Sequence, residues 1–333
     1  MLINYFLYNF AADNVGNMPA QGARLTTSVP FVIEQKVMET TMNLKYPVPE
    51  DFLKEETRCD NLVTTEMKRV WAIELDLLQE LMRVCQKYDL RIFADGGTLI
   101  GAMRHQGFIP WDDDIDLVMF RKDFDRLCEV AGEEFEHPYF FQTIETDEHY
   151  SHRHAQLRNS DTAAWPARLS GPKEKFNQGI FVDIFILDGM PYDPRALTKH
   201  IGKIRNAKLK LKIARKVAGR LPAPLYRWCR NHVPCLSDKH QYRNLEKVLR
   251  SVDADKTQLL CILSLKMSHR FQDAKCYSTC KMVPFEHVQI PVMEAYDEVL
   301  TTHYGDWRTP AKAPSTHGNM CFDTEKSYKE YLR

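Results

Sequence analysis

Asp95-Gly-Gly-Thr-Leu-Ile-Gly-Ala-Met-Arg-His-Gln-Gly-Phe-Ile-Pro-Trp-Asp-Asp-Asp-Ile-Asp-Leu117 is the stretch on which the reading of this 333-residue chain turns. Asp112, Asp113, Asp114 and Asp116 crowd four carboxylates into five residues. Two unit charges about 4 Å apart repel by about 4 kcal/mol at an effective dielectric of about 20. An acidic loop in open water relieves that by spreading. Here the alternation of Asp114 and Asp116 with Ile115, Leu117 and Val118 predicts a strand over 115–120, with both carboxylates on one face and Asp113 on the other. Carboxylates held that way require a cation. An all-oxygen set favours Mg²⁺ or Mn²⁺, with substrate phosphates completing the shell.

The glycines upstream supply the complementary half. Leu90–Ala94 reads as a short strand, Asp95-Gly96-Gly97 breaks it, and Thr98 is the expected cap of a helical turn over 99–104. Backbone N–H groups at Gly96, Gly97 and Thr98 can then approach a phosphate closely. Arg104 and His105 lie between the two halves, as candidates for contacting a leaving phosphate. A third carboxylate is expected from a neighbouring strand, and Gly179-Ile-Phe-Val-Asp-Ile-Phe-Ile-Leu-Asp188 offers it. Asp183 is flanked by large apolar residues, where an unpaired carboxylate is costly. Asp188, before Gly-Met-Pro, reads as a turn former. Arg158 is either a phosphate clamp or a structural ion-pair partner, and Asp112 joins the substrate-binding set. His149, His152 and His154 fit no ligand spacing and read as polar surface.

Outward from this core, Thr65–Tyr88 predicts an amphipathic helix: Val70, Leu77, Leu81 and Val84 form one stripe beside Trp71, Leu78, Met82 and Cys85. Asp123–Phe135 predicts another helix. Residues 1–41 carry little periodicity and read as a loosely ordered extension before a domain spanning 42–333. Residues 194–237 differ from the rest: they hold twelve Lys and Arg and no acid, and the remainder of the chain balances them at −12. Leu197, Ile201, Ile204, Ala207, Leu211, Ala214, Ala218 and Leu221 are spaced as a helical stripe, which Pro222 and Pro224 end. The basic face is either solvated or docks on an anionic surface, membrane lipid or a phosphate-rich acceptor.

Composition bounds the remainder. With 44% hydrophobic, 27% charged and 11% aromatic residues, the chain is neither disordered nor fibrous. Nine dispersed cysteines do not form a disulfide framework and fit a reducing compartment. Cys276 and Cys280, with His269 and His287 nearby, read as ordinary thiols rather than a metal site. No apolar run reaches the ~20 residues that span a bilayer. Met1–Phe10 is apolar but lacks the basic flank of a signal peptide.

The run Gly-Gly-Thr-Leu-Ile-Gly-Ala-x-Arg-His-x-Gly-Phe-Ile-Pro-Trp-Asp-Asp-Asp-Ile-Asp is similar to the signature of the LicD family, to which the fukutin-type proteins belong. Gly179–Asp188 and Tyr304-Gly-Asp-Trp, with Pro310, Pro314 and His317, resemble its later blocks, so that the likeness spans roughly 42–320. It implies an α/β, mixed-sheet nucleotidyltransferase core of the DNA polymerase beta type, here with an added helical C-terminal region. It implies Mg²⁺-dependent transfer of a phosphoalcohol, typically phosphocholine from CDP-choline, onto a hydroxyl of a surface glycan, with CMP released. The acceptor would be a lipopolysaccharide, teichoic acid or capsule precursor, and no nucleic acid is involved. The resemblance places the catalytic and metal carboxylates at Asp114, Asp116 and Asp183. The expected location is cytoplasmic, peripheral at the inner membrane face through 194–237. A nucleotidyltransferase releasing pyrophosphate from an NTP is the alternative enzyme. A non-catalytic nucleotide- or glycan-binding relative is the alternative of another class.

Overall fold

A computed structural model describes residues 42–218, 220–263, 271–311 and 319–332. The extension at 1–41 and the positions of His269, Pro314 and His317 lie outside the described residues.

A small hairpin, β1 (Glu56–Arg58) and β2 (Asn61–Val63), precedes helix α1 (Thr65–Lys87). The Thr64 hydroxyl caps α1 by accepting from Met67 N, and Glu66 favours the positive end of its dipole. Strand β3 (Ile92–Ala94), helix α2 (Gly96–His105), strand β4 (Asp116–Phe120) and helix α3 (Arg121–Glu134) follow. Next come β5 (Tyr139–Gln142), β6 (Ala155–Asn159), β7 (Ala163–Pro166) and the eleven-residue β8 (Ile180–Met190). The C-terminal region holds α4 (Pro194–Ala218), α5 (Ala223–His232) and α6 (Asp238–Leu249). Strands β9 (Leu259–Ile262), β10 (Phe271–Asp273), β11 (Cys280–Phe285) and β12 (Val288–Met293), helix α7 (Tyr296–Tyr304) and β13 (Met320–Asp323) complete the described chain.

Seven strands make one mixed sheet. Its path runs β10-β9-β8-β4-β3, with β6 also on β8 and β5 on β6. The β4–β8 pair is parallel; the other pairings are antiparallel. Strand β8 is therefore the spine: β4 lies along one edge, while β6 and then β9 share the other. Apolar runs such as Leu117–Phe120 and Ile184–Leu187, buried throughout, suit strands at the centre of a sheet.

Helix α1 packs on β6 and β8, and α3 on β4 and β8. Val70, Trp71, Leu77, Leu78, Leu81 and Val84 are all 3% exposed or less, which makes α1 an internal wall. The basic segment builds a separate small core: Ile204, Ala207, Leu211 of α4 and Leu245, Leu249 of α6 pack around Met190, Leu259 and Cys261. The predicted stripe of α4 is thus its packed face. Pro222 does more than end that helix, since it is the N-cap of α5.

Candidate active site

The register of β4 on β8 builds the site. Asp116 and Asp183 are direct partners across the parallel pair, with Asp183 N donating to Ile115 O at 2.9 Å. The third carboxylate sought on a neighbouring strand thus stands at the same level of the sheet. On the helix side, Asp95 N donates to Asp116 O (3.0 Å), and Thr98 Oγ1 accepts from Asp116 N (2.8 Å). Thr98 is not the cap of α2, as its position had suggested; Asp95 is, and the Thr98 hydroxyl instead stitches the helix start to the strand start.

The glycine requirement at 96 and 97 is a matter of space. Gly96 has φ +57°, and a Cβ there would stand 2.9 Å from Asp116 Oδ2. A Cβ on Gly97 would collide with Asp112 Oδ2. The two glycines let the carboxylates lie directly against the first turn of α2.

Strand β4 begins at Asp116, so 112–115 approach it as irregular chain. The expectation that Asp113 turns away is therefore corrected: carboxylate oxygens of Asp112, Asp113 and Asp114 lie within 4.8 Å of one another. The strand alternation that was to separate Asp113 from Asp114 has not yet begun. Behind them, Trp71 of α1 donates its Nε1 to Asp112 O (3.1 Å) and stacks on Phe108 at 4.5 Å.

One turn on from Trp71, Glu74 faces the same cluster. Three acids of α1 are 1% exposed. Asp76 is satisfied by Tyr139 Oη (2.7 Å) and Tyr46 N (2.8 Å), and Glu80 by Lys45, Tyr46 and Arg83. Glu74 Oε2 has no hydrogen-bond partner among the described residues. Burial first, then the charges of Asp114, Asp113, Asp112 and Asp183, hold its carboxyl well above the usual range. Asp116 is raised likewise by burial and by Asp114, Asp183, Asp95 and Asp112. An all-oxygen set with a buried orphan oxygen and mutual repulsion fits a hard divalent cation.

Asp183 differs. Burial works to raise its pKa, but His154 and Gln156 outweigh it and leave the pKa below the usual value. Gln156 Nε2 donates to Asp183 Oδ1 at 2.7 Å, and His154 Nε2 lies 3.1 Å from the same oxygen. The reading of His154 as open polar surface is corrected, since its side chain is only 13% exposed beside Asp183. His152 is exposed, in keeping with that reading, with its ring 5.3 Å from that of His154. The signal for His154 is register: Gln156 pairs with Asp183 across β6–β8, so His154 two residues earlier shares its face.

Arg158 is 4% exposed and turned inward. Its guanidinium donates to Gln142 Oε1, Gly179 O and Gln156 Oε1, and stacks over Phe181 at 4.6 Å. It orients Gln156, and through it Asp183, rather than offering an open clamp. Arg104 and His105 occupy the last turn of α2, about 12 Å along the helix axis from Gly96. Arg104 Nε donates to His105 Nε2 (2.9 Å) and Nη1 to Trp307 O (2.8 Å). Burial and the cations Arg104 and Arg58 push His105 down, which keeps its ring neutral and able to accept. Asp188 is corrected as well. It lies inside β8, 2% exposed, and accepts from Arg121 Nε (2.8 Å) and Nη2 (2.9 Å).

Clustered carboxylates on a mixed sheet are faced by a glycine-led helix start, the arrangement expected from the sequence for a phosphoryl-transfer site. Residues 89–187 match the family model described as LicD/FKTN/FKRP, nucleotidyltransferase domain. The chain carries a LicD-family domain over these residues and is a phosphotransferase of that type. It is 29% identical to the lipopolysaccharide cholinephosphotransferase LicD of Haemophilus influenzae over 248 residues, 70% of this chain and 88% of that one. It is 33% identical to the human ribitol 5-phosphate transferase FKRP over 92 residues, 24% of this chain and 19% of the relative. An uncharacterized protein of Rickettsia typhi is 32% identical over 77 residues, 21% of this chain and 25% of that protein. Glu74 lies outside the matched segment.

Proposed function

We propose that the chain transfers a phosphoalcohol, phosphocholine by analogy with LicD, from a CDP-alcohol to a hydroxyl of a glycan and releases CMP. The observation that carries this reading is the Asp116–Asp183 pair, flanked by Asp112, Asp113 and Asp114 and faced by Gly96 and Gly97. The reading takes the sheet as a nucleotidyltransferase core, in keeping with the description of the matching family model. The breadth of the match to LicD, 88% of that relative's length, supports a similar donor and a lipopolysaccharide-like acceptor.

Asp114, Asp116 and Asp183 would hold Mg²⁺ or Mn²⁺, with Asp112, Asp113 and Glu74 turned to the same charge. When bound, such an ion neutralises charge growing on the transferring phosphoryl group. The chain's own residues do the rest. The backbone at Gly96 and Gly97 leaves room for donor phosphate beside the carboxylates, and the N–H groups of the first turn of α2 favour an anion there. Asp183, held ionised by His154 and Gln156, suits a ligand and is a weak acceptor for the attacking hydroxyl's proton. Arg158 serves by fixing Gln156, and Arg104 with His105 shape the far end of α2.

The test is incubation of the full chain with a panel of CDP-alcohols and Mg²⁺, with CMP release as readout. Release with one alcohol, dependent on the metal, is the expected result. Pyrophosphate release from an NTP, with every CDP-alcohol inert, would replace this reading by nucleotidyl transfer.

A further inference from the structure

The basic segment has a packed side and an outer side of different chemistry. Ile204, Ala207, Leu211 and Ala214 of α4 are buried, yet Leu209 and Ile213 are 54% and 50% exposed. At about 100° per residue, these two point away from the buried stripe. On α5, Leu225 and Trp228 are 47% and 54% exposed, with His232 stacked on the Trp228 ring at 5.1 Å. Among the described residues, four of the ten most exposed large apolar side chains fall within these twenty positions. They are interleaved with Lys210, Lys212, Lys216 and Arg220, and no acid occurs between 194 and 237.

Where α4 passes the loop at 151–154, a cavity of about 360 Å³ opens, lined by Arg153, Lys208, Lys212 and Arg215 with Leu209. None of the residues described as lining it is acidic. Lys208 Nζ donates to Leu263 O (2.7 Å), and burial together with Arg153 pushes the amine down to about 8. Arg215 Nη2 donates to Ser151 O at 2.8 Å. Three residues beyond Ser151 stands His154, the partner of Asp183. Cationic side chains gathered around one cavity call for an anion. Exposed aliphatic and indole side chains beside them call for an apolar phase, which a soluble phosphate does not provide.

We propose that the outer face of α4 and α5 docks on an anionic lipid bilayer. Leu209, Ile213, Leu225 and Trp228 enter the interface, and a headgroup phosphate occupies the cavity of Arg153, Lys208, Lys212 and Arg215. This chemistry matches interfacial helices that pair basic residues with Trp and Leu. Attraction to anionic lipid adds along the basic residues and fades within a Debye length. The docked face adjoins the loop that carries His154, so a lipid-linked acceptor would be held beside the carboxylates.

The full chain is mixed with vesicles of phosphatidylcholine alone or with 30% phosphatidylglycerol, and binding is read by co-flotation and Trp emission. Binding is expected only with phosphatidylglycerol, at least tenfold weaker in 0.5 M than in 0.05 M NaCl, with a blue shift that Trp228→Phe removes. Leu209→Ser/Ile213→Ser and Lys212→Glu/Lys216→Glu should each weaken binding tenfold or more, with melting midpoints unchanged. A parallel arm uses inorganic phosphate. Thermal stabilisation by phosphate with no vesicle binding would overturn the proposal in favour of a soluble phosphorylated ligand. Equal binding to both vesicle types, or binding untouched in both double variants, would also overturn it. Neither readout depends on catalysis, so a failure here leaves the phosphotransfer reading intact, and the reverse holds.

Discussion

Strand β8 carries two aspartates five residues apart, and the two ends of the strand treat them differently. Asp188 brings its own counter-charge: Arg121 grips both carboxylate oxygens and reaches Glu246 Oε2 at 2.7 Å. Asp183 faces Asp116 across the sheet; His154, Gln156 and the charge of Arg158 favour its ionised form, while Asp116 and Glu74 add like charge beside it. Asp188 is buried and Asp183 half-buried on the same strand. One is a closed ion pair; the other sits among carboxylates whose burial and mutual repulsion hold Asp116 and Glu74 above the usual range. A buried charge with its partner supplied is structure, and one left short is a place for something that binds.

The largest break in this comparison should come from Asp116→Asn. Turnover is expected to fall by three orders of magnitude or more, because the lost charge matters most in the transition state. Melting of the metal-free protein should stay level or rise, since a repelling carboxylate has gone. Persisting activity with an unfolded metal-free protein would make the cluster a structural network instead. The closed end of β8 should behave oppositely. Arg121→Met strands Asp188 and leaves Glu246 its longer contact with Arg250 (3.5 Å), and urea unfolding should show a loss of about 3–5 kcal/mol. Asp183→Asn should cost the metal-free protein far less, and equal losses would erase the distinction.

Glu74→Gln sharpens the open end. A Mn²⁺ titration followed by electron paramagnetic resonance should show affinity down about tenfold, about 1.4 kcal/mol, with the metal-free fold no less stable. Unchanged affinity would return Glu74 to the core as an unexplained buried acid. The smallest effect concerns the basic cavity. Lys208 has its folded pKa depressed from 10.5 to about 8, so its contribution to stability is present above the unfolded value and is lost as pH falls through 8. Lys208→Met should therefore stabilise the free protein more at pH 6.5 than at pH 10, by chemical denaturation at both. A bound anion should narrow that gap by favouring the charged amine.

Much of this was legible in the chain alone. Periodicity gave α1 to within a residue, the helices α3 and α4, and the strands β3, β4 and β8, because repeating contacts with one core leave a repeating pattern. The density of Asp112–Asp116 and the Gly-Gly break marked the candidate site, and the structure brings those two stretches together. Even the outward apolar residues of α4 were present in the letters, but a stripe says which face packs only once another element lies against it.

What the sequence determined by itself was local: which segments are helix or strand, and which residue types carry charge that must be met. The tertiary structure decided the partners. Glu74 and Glu80 look alike on paper, but one meets Lys45 and Arg83 while the other meets four aspartates. Asp183 and Asp188 share a strand and part company through β4, β6 and the first residue of α3. Arg158 read equally as a phosphate clamp or a structural partner until β6 turned it inward against Gln142, Gln156 and Gly179. Charge is a property of the residue. Whether it is satisfied depends on groups tens to hundreds of positions away, and only the packing of the sheet brings those into reach.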